Sequence, residues 1–145
     1  MRRGSALLAI VLALMVSTAT FASAQEVKIG LLLPLTGPFT STGHQIEAAA
    51  KLYMQQNGDT VAGKKVHLVI KDDAGVAETS KRLAQELIVR ENVSVLAGFG
   101  LTPLALATAP LATQAKVPEV VMAAATSIIT EQSPTSCARA SPPHR

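Results

Sequence analysis

Tryptophan is absent from this 145-residue chain, and aromatic residues are scarce: one tyrosine, Tyr53, and three phenylalanines. Surfaces that hold bases or sugar rings between aromatic faces are therefore not expected. A single cysteine, Cys137, excludes an internal disulfide and a multi-cysteine metal site. An excess of one charge is lacking too. The formal net charge is +3, several arginines sit in the terminal segments, and the middle of the chain is close to balance, so there is no footprint for nucleic acid. The signatures G-x-S-x-G, H-E-x-x-H and the P-loop are missing. His44, His67 and His144 have no nucleophile to serve. No enzymatic activity, cofactor or metal is expected, and the length admits one ordinary domain.

The N-terminus has the makeup of an export signal. Arg2 and Arg3 precede an apolar run from Ala6 to Val16, and Ala22-Ser23-Ala24 supplies a small-x-small cleavage site. The apolar run is too short for a good membrane span. No cysteine follows the cleavage site, so no N-terminal lipid anchor is indicated. Residues 1–24 are read as a signal peptide, with a mature protein that starts near Gln25 in the periplasm.

Beyond it, the pattern alternates between strand and helix. "VKIGLLLP" (27–34) is a continuous apolar run of the kind buried on both faces of a sheet. From Gly43 to Asn57, Ile46, Ala49, Ala50, Tyr53 and Met54 recur at helical spacing. "KKVHLVIKDD" (64–73) alternates as a strand. From about Val76 to Arg90, Val76, Leu83, Ala84, Leu87 and Ile88 share one helical face, with charged residues opposite. "VSVLAGF" is a third strand. "TPLALATAPLATQAK" is a third helix, with Thr102 expected as its N-cap, Pro103 at its first position and Pro110 predicting a kink or an early break. "VPEVVM" is the fourth strand. The order βαβαβαβ implies an α/β fold: a parallel sheet with helices on both faces.

In such open sheets ligands bind beyond the carboxyl ends of the strands. Three of those ends here carry small residues: the loop Leu35–Thr42, the Gly98–Thr102 corner, and the Ala123–Thr126 corner. Thr102 stands where a helix N-terminus offers free N–H groups and a positive dipole end, which favours an anionic group such as a carboxylate. A plain N-cap is the competing reading of that threonine.

The stretches "VKIGLLLPLTGPFTSTGHQIEAAAKLYMQQ", "VHLVIKDDAGVAETSKRLAQELI" and "GFGLTPLALATAP…VP" resemble the periplasmic leucine/isoleucine/valine-binding protein family. These are solute-binding components of ABC importers with the type I periplasmic-binding fold. The resemblance covers about Val27 to Pro134. It implies a partial N-terminal lobe (25–134) and a monomer whose partners are a small carboxylate or amino-acid ligand and the membrane permease subunits. It further implies ligand contacts from Thr42, Thr102, Ala124 and Thr126. Thr42 corresponds to a loop position where the leucine binder carries a large aromatic, so a bulkier acid than leucine would fit. A ligand-sensing receptor or regulator of the same fold is the alternative.

The ending departs from the family. After "SIITEQSP" the family continues with an aromatic residue and a short strand, whereas this chain reads "TSCARASPPHR". Under one choice of codons for residues 135–142, one base restored after the Pro134 codon would give Tyr-Ile-Val-Arg-Ala-Ser-Phe-Thr, an aromatic residue and an apolar run. Residues 135–145 are therefore expected to be a frameshifted, non-native tail, and the chain a truncated fragment impaired in binding.

Two rivals are weaker. "TSTG" (40–43) before a helix resembles the phosphate loop of flavodoxins, but "PLTGPF" intervenes and no aromatic pair is present to sandwich a flavin. "KDD" (71–73) suggests the metal-assisted acceptor of receiver domains. That chemistry needs a further Asp on the neighbouring strand, where Gly98 and Gly100 stand, so the pair is read as solvated carboxylates at a turn, with a capping role at Val76.

The N-terminal reading has a direct check. The intact mass of the exported product should begin at Gln25, within a residue, and a membrane-associated product that keeps Met1 would refute the signal peptide.

Overall fold

The central strand is the one that carries the unbroken run Ile29–Leu33 of apolar residues and glycine. β1 (Glu26–Leu33) lies between β3 (Lys64–Asp72) and β4 (Val95–Gly98). Gly30 to Pro34 are buried. Leu31 and Leu33 face one side of the sheet and Leu32 the other, and each joins a separate apolar cluster. A run buried on both faces needs no alternation, as its sequence implied.

The computed structural model describes residues 26–124 and 126–138; the signal segment and residues 139–145, His144 included, lie outside the described residues. The six strands run in the order β2-β3-β1-β4-β5-β6. β5 is Glu119–Val121 and β6 is Ser136–Ala138. All neighbours are parallel except the edge pair of β2 (Thr60–Val61) with β3, which is antiparallel. The α/β class therefore stands, with one antiparallel edge hairpin added. β6 falls in the segment expected to be a non-native tail. Its three residues pair with β5 in register, Val120 beside Cys137.

Helix α1 (Thr40–Asn57) covers one face; α2 (Ala77–Val89), α3 (Thr102–Ala115) and α4 (Ser127–Gln132) lie on the other. The larger core packs Leu83 and Leu87 of α2, Leu104 and Ala105 of α3 and Ile129 of α4 against Leu32, Leu96 and Val121 of the sheet. α1 differs from expectation. It starts three residues earlier, and of its anticipated apolar face Ile46, Ala50 and Met54 are half-buried while Ala49 and Tyr53 are exposed, Tyr53 by 67%. One helix spans only the β1–β3 half of this face. A groove of about 470 Å³ lined by Ile46, Ala49, Ala50, Val120, Met122 and Cys137 remains beside it.

Two readings at α3 are corrected. Leu101, in extended conformation, holds the N-cap position without a side-chain cap bond, so Thr102 is the first helical residue and Pro103 the second. Leu101 packs against the core, which draws the helix start one residue back, and Pro103 still falls in the first turn, where a missing N–H is not needed. Pro110 does not end the helix, which continues to Ala115. Pro110 itself is exposed, while buried Thr108, Ala109 and Ala112 hold the helix to the core on both sides of it.

Beneath α3 sits a fully buried carboxyl group, Glu119. Thr108 Oγ1 lies 3.0 Å from Glu119 Oε2 and also 3.1 Å and 3.0 Å from the Leu104 and Ala105 carbonyl oxygens. One hydroxyl proton cannot serve all three acceptors. Glu119 Oε1 has no partner among the described residues. Burial pushes the Glu119 carboxyl up to about 7, against the single lowering influence of the Thr108 hydrogen bond. Protonated, Glu119 donates to Thr108, whose own proton is then free for the helix carbonyls.

The folded state therefore holds a proton that the unfolded chain releases near its ordinary value of 4.5. Stability from this group is fully present below about 4.5 and is lost as pH rises to about 7, a change on the order of 3 kcal/mol. Urea unfolding at pH values across that window should show the decline in the wild type. In Glu119→Gln, whose amide donates at every pH, the decline should be smaller, leaving only what the raised Asp73 carboxyl contributes; parallel curves for the two proteins would refute the assignment. Gly98→Ala should lower stability by about 3 kcal/mol or more in the same assay, because Gly98 has φ +113° and a Cβ there would collide with the Leu32 carbonyl oxygen.

Candidate functional site

Because β1, β3, β4 and β5 are parallel, their carboxyl ends share one edge of the sheet. The β1–α1, β3–α2, β4–α3 and β5–α4 loops meet there. The chain leaves β1 toward β3 on one side and later returns to β4 on the other. The rim between the ends of β1 and β4 is therefore a topological switch point, where loops diverge and leave a crevice.

Backbone hydrogen bonds tie this rim together. Phe99 N–H donates to the Leu32 carbonyl at 2.9 Å, Met122 N–H to Gly98 at 2.8 Å, and Ala124 N–H to Phe99 at 3.3 Å. Phe99 adopts φ +61° and is fully buried, so the strain of a left-handed non-glycine residue is offset by the burial of its ring. A side chain on Gly100 would stand 2.9 Å from Pro34 Cγ and 3.9 Å from Thr42 Cγ2. The missing Cβ lets the β4–α3 loop lie against the β1–α1 loop.

The two aspartates at the end of β3 are not solvated turn residues, and that reading is overturned. Asp72 Oδ1 accepts from the backbone N–H groups of Leu35 (2.9 Å), Thr36 (3.3 Å) and Ala74 (2.8 Å), and its Oδ2 accepts from the Thr36 hydroxyl (2.7 Å). Desolvation is the largest single influence on this carboxyl and acts upward. The hydrogen bonds from Thr36, Ala74 and Leu35 together outweigh it and hold Asp72 below the ordinary carboxylate range. Asp73 is fully buried and accepts from Gly75 N–H and the Ser80 hydroxyl, both at 2.9 Å; burial pushes it up despite those bonds. Its backbone carbonyl accepts from Val76 N–H at 2.9 Å, a turn bond, and no carboxylate caps the helix at Val76, so the expected capping role is not seen. Asp72 fastens the β1–α1 loop to β3, and Asp73 fastens the β3–α2 loop to α2.

The four residues expected to touch a ligand fall on this edge. Thr42, half-buried in the first turn of α1, lies beside Gly100. Thr102, half-buried, opens α3 two residues further on. Ala124 is buried and its N–H is taken by Phe99, so that amide is not free for a ligand. Thr42, Thr102 and Ala124 thus converge on the Gly98–Thr102 loop. Thr126 holds the N-cap position of α4 without a side-chain cap bond, across Ala125, which lies outside the described residues. His44 and His67 are exposed, on α1 and β3. The rim combines half-buried hydroxyls, close backbone approach and the start of a 14-residue helix, with both nearby carboxylates already occupied. That is equipment for holding a small anionic molecule.

Comparison with known proteins agrees with this geometry. The Leu/Ile/Val-binding protein homolog 6 of Brucella abortus (strain 2308) is 45% identical over 118 residues, which is 80% of this chain and 30% of its own length. The solute-binding protein of an ABC transporter from Rhodopseudomonas palustris BisB5, solved in complex with 3,4-dihydroxybenzoic acid, is 62% identical with a TM-score of 0.77, over 78% of this chain and 31% of its own. One from R. palustris HaA2, in complex with p-hydroxybenzoic acid, is 43% identical with a TM-score of 0.75, over 79% and 31%. The chain thus spans about 30% of the length of the curated relatives it matches. The periplasmic binding protein family model matches residues 26–141, past Pro134 and through β6. With the family model matching most of its length, the chain belongs to the periplasmic binding protein family.

Proposed function

We propose that this chain carries one wall of the solute site of an extracytoplasmic ABC-importer binding protein, and that its rim takes the carboxylate of a small acid. Hydroxybenzoate-type acids are favoured over branched-chain amino acids. The observation that carries this reading is the 62% sequence identity, over 78% of this chain, with a protein whose structure holds 3,4-dihydroxybenzoic acid. The p-hydroxybenzoic acid complex at 43% identity supports the same class. Thr42 supports it as well, because a threonine there leaves more room than a large aromatic side chain. Thr102 and Thr126 donate their hydroxyls to the carboxylate, and the positive end of α3 adds to the attraction. In this reading the signal peptide delivers the protein to the periplasm, and membrane permease subunits receive the solute.

Affinity in a two-lobed binding protein comes from enclosing the ligand, which removes water from its polar contacts. The residues described form one wall. Hydrogen bonds made there compete with water and net about 1 kcal/mol each. Association costs roughly 4–15 kcal/mol in lost freedom. The 145-residue chain should therefore bind no tighter than about millimolar. Calorimetry on the folded mature chain with p-hydroxybenzoate, benzoate, leucine and isoleucine checks this, and micromolar affinity for any of them would overturn the one-wall reading. With a second lobe supplied, by fusing residues 26–134 to the remainder of the R. palustris BisB5 relative, Thr102→Ala and Thr126→Ala should each lose about 1–3 kcal/mol of affinity. Unchanged affinity in both would remove the site assignment.

A further inference from the structure

Phe39 is the one large aromatic side chain that the rim leaves in solvent. It is 43% exposed, whereas Phe99, the other phenylalanine among the described residues, is fully buried. Its exposure is not that of a loose loop. Asp72 clamps Leu35 and Thr36 just before it, and the Thr40 hydroxyl donates back to the Gly37 carbonyl. The Phe39 carbonyl accepts from Thr42 N–H at 3.1 Å as α1 begins. One edge of the ring rests on the β3–α2 loop, where Phe39 Cδ2 comes within 3.3 Å of the place a Gly75 Cβ would occupy. Leu101 Cδ1 and Pro34 Cβ close on the same point at 3.7 Å and 4.0 Å. Phe39 and Pro34 of the β1–α1 loop and Leu101 of the β4–α3 loop thus gather as an apolar platform around Gly75 of the β3–α2 loop, and Leu101 directly precedes Thr102 in the chain.

A held, half-exposed phenyl ring next to the hydroxyl-bearing end of a crevice suits a ligand with a carboxylate at one end and a ring at the other. We propose that Phe39 is a specificity-determining residue, which contacts the ring of an aromatic carboxylate and sets the preference for it over an aliphatic amino acid. This inference rests on the reading that the rim binds a carboxylic acid. The aromatic pair contributes beyond the apolar area it buries, because ring edge meets ring face with complementary charge. Leucine at position 39 keeps most of the area and loses that term, whereas tyrosine keeps the ring.

The test is an NMR titration of the isotope-labelled mature chain, in which weak binding is readable as saturable shifts of the Gly100 and Thr102 amides. The probes are p-hydroxybenzoate and isoleucine. Phe39→Leu should weaken p-hydroxybenzoate about three- to tenfold, leave isoleucine within about twofold, and keep the spectrum of a folded chain; Phe39→Tyr should restore the aromatic affinity. Phenylalanine-selective labelling gives a readout without mutation: the ligand ring protons should show contacts to an exposed phenylalanine ring, which Phe99 cannot supply. If Phe39→Leu weakens both probes equally or neither, the inference is overturned and the carboxylate reading stands. If neither probe gives saturable shifts in the wild type at tens of millimolar, the carboxylate reading itself fails and the inference falls with it.

Discussion

The rim depends on one close approach of backbone to backbone. β4 must end against β1 and turn away toward α3 without leaving the sheet, and Gly98 makes that turn at φ +113° with the Leu32 carbonyl where its side chain would be. From that point the bonds propagate. Phe99 reaches back to Leu32, Met122 reaches to Gly98, and Ala124 reaches to Phe99. Three strand ends are thereby held in one arrangement. The left-handed conformation of Phe99 belongs to the same turn, and its buried ring anchors the loop from below. Fixed backbone is useful to a binding site because less freedom remains to be lost when the ligand arrives.

The adjacent aspartates divide the remaining work by their surroundings. Asp72 meets four donors, three of them from the β1–α1 loop, and stays ionised readily. Asp73, one residue on, is buried behind it with two donors and is shifted the other way by desolvation. Two neighbours of identical chemistry thus hold two different loops. With Asp72 engaged by the protein itself, its charge is met by donors from its own loops. Glu119, on the opposite side of β5 from the exposed Val120, adds a buried acid to the structural side of the sheet rather than to the rim.

Much of the fold was legible because it rests on local patterns. The unbroken apolar run of β1, the helical spacing in α2 and the small residues after β4 each announce one element, and those elements are present. Three kinds of feature were not legible. The edge strands β2 and β6 are two and three residues long, too short to show any period, and exist through pairing with the neighbouring strands β3 and β5. The exposure of Tyr53 depends on how much sheet lies beneath α1, which helical spacing does not report. The persistence of α3 through Pro110 depends on the packing of Thr108 and Ala112, a tertiary effect that outweighs the local penalty.

For the candidate site, the chain by itself determined the residue types at the strand ends: hydroxyls at 42, 102 and 126, small residues between them, and no catalytic constellation. Those follow from parallel strands ending on one edge, a consequence of order alone. Only the tertiary structure decided which of these residues meet and which are already engaged. It placed Thr42 against Gly100, committed the Ala124 amide to Phe99, turned Asp72 from a solvated carboxylate into the clamp of a loop, and left Phe39 exposed on a platform with Leu101 and Pro34. The reason is physical. Hydrogen bonds and contacts between residues some 36 positions apart, such as Thr36 with Asp72, leave no periodic trace in the sequence and exist only once the sheet has brought its loops together.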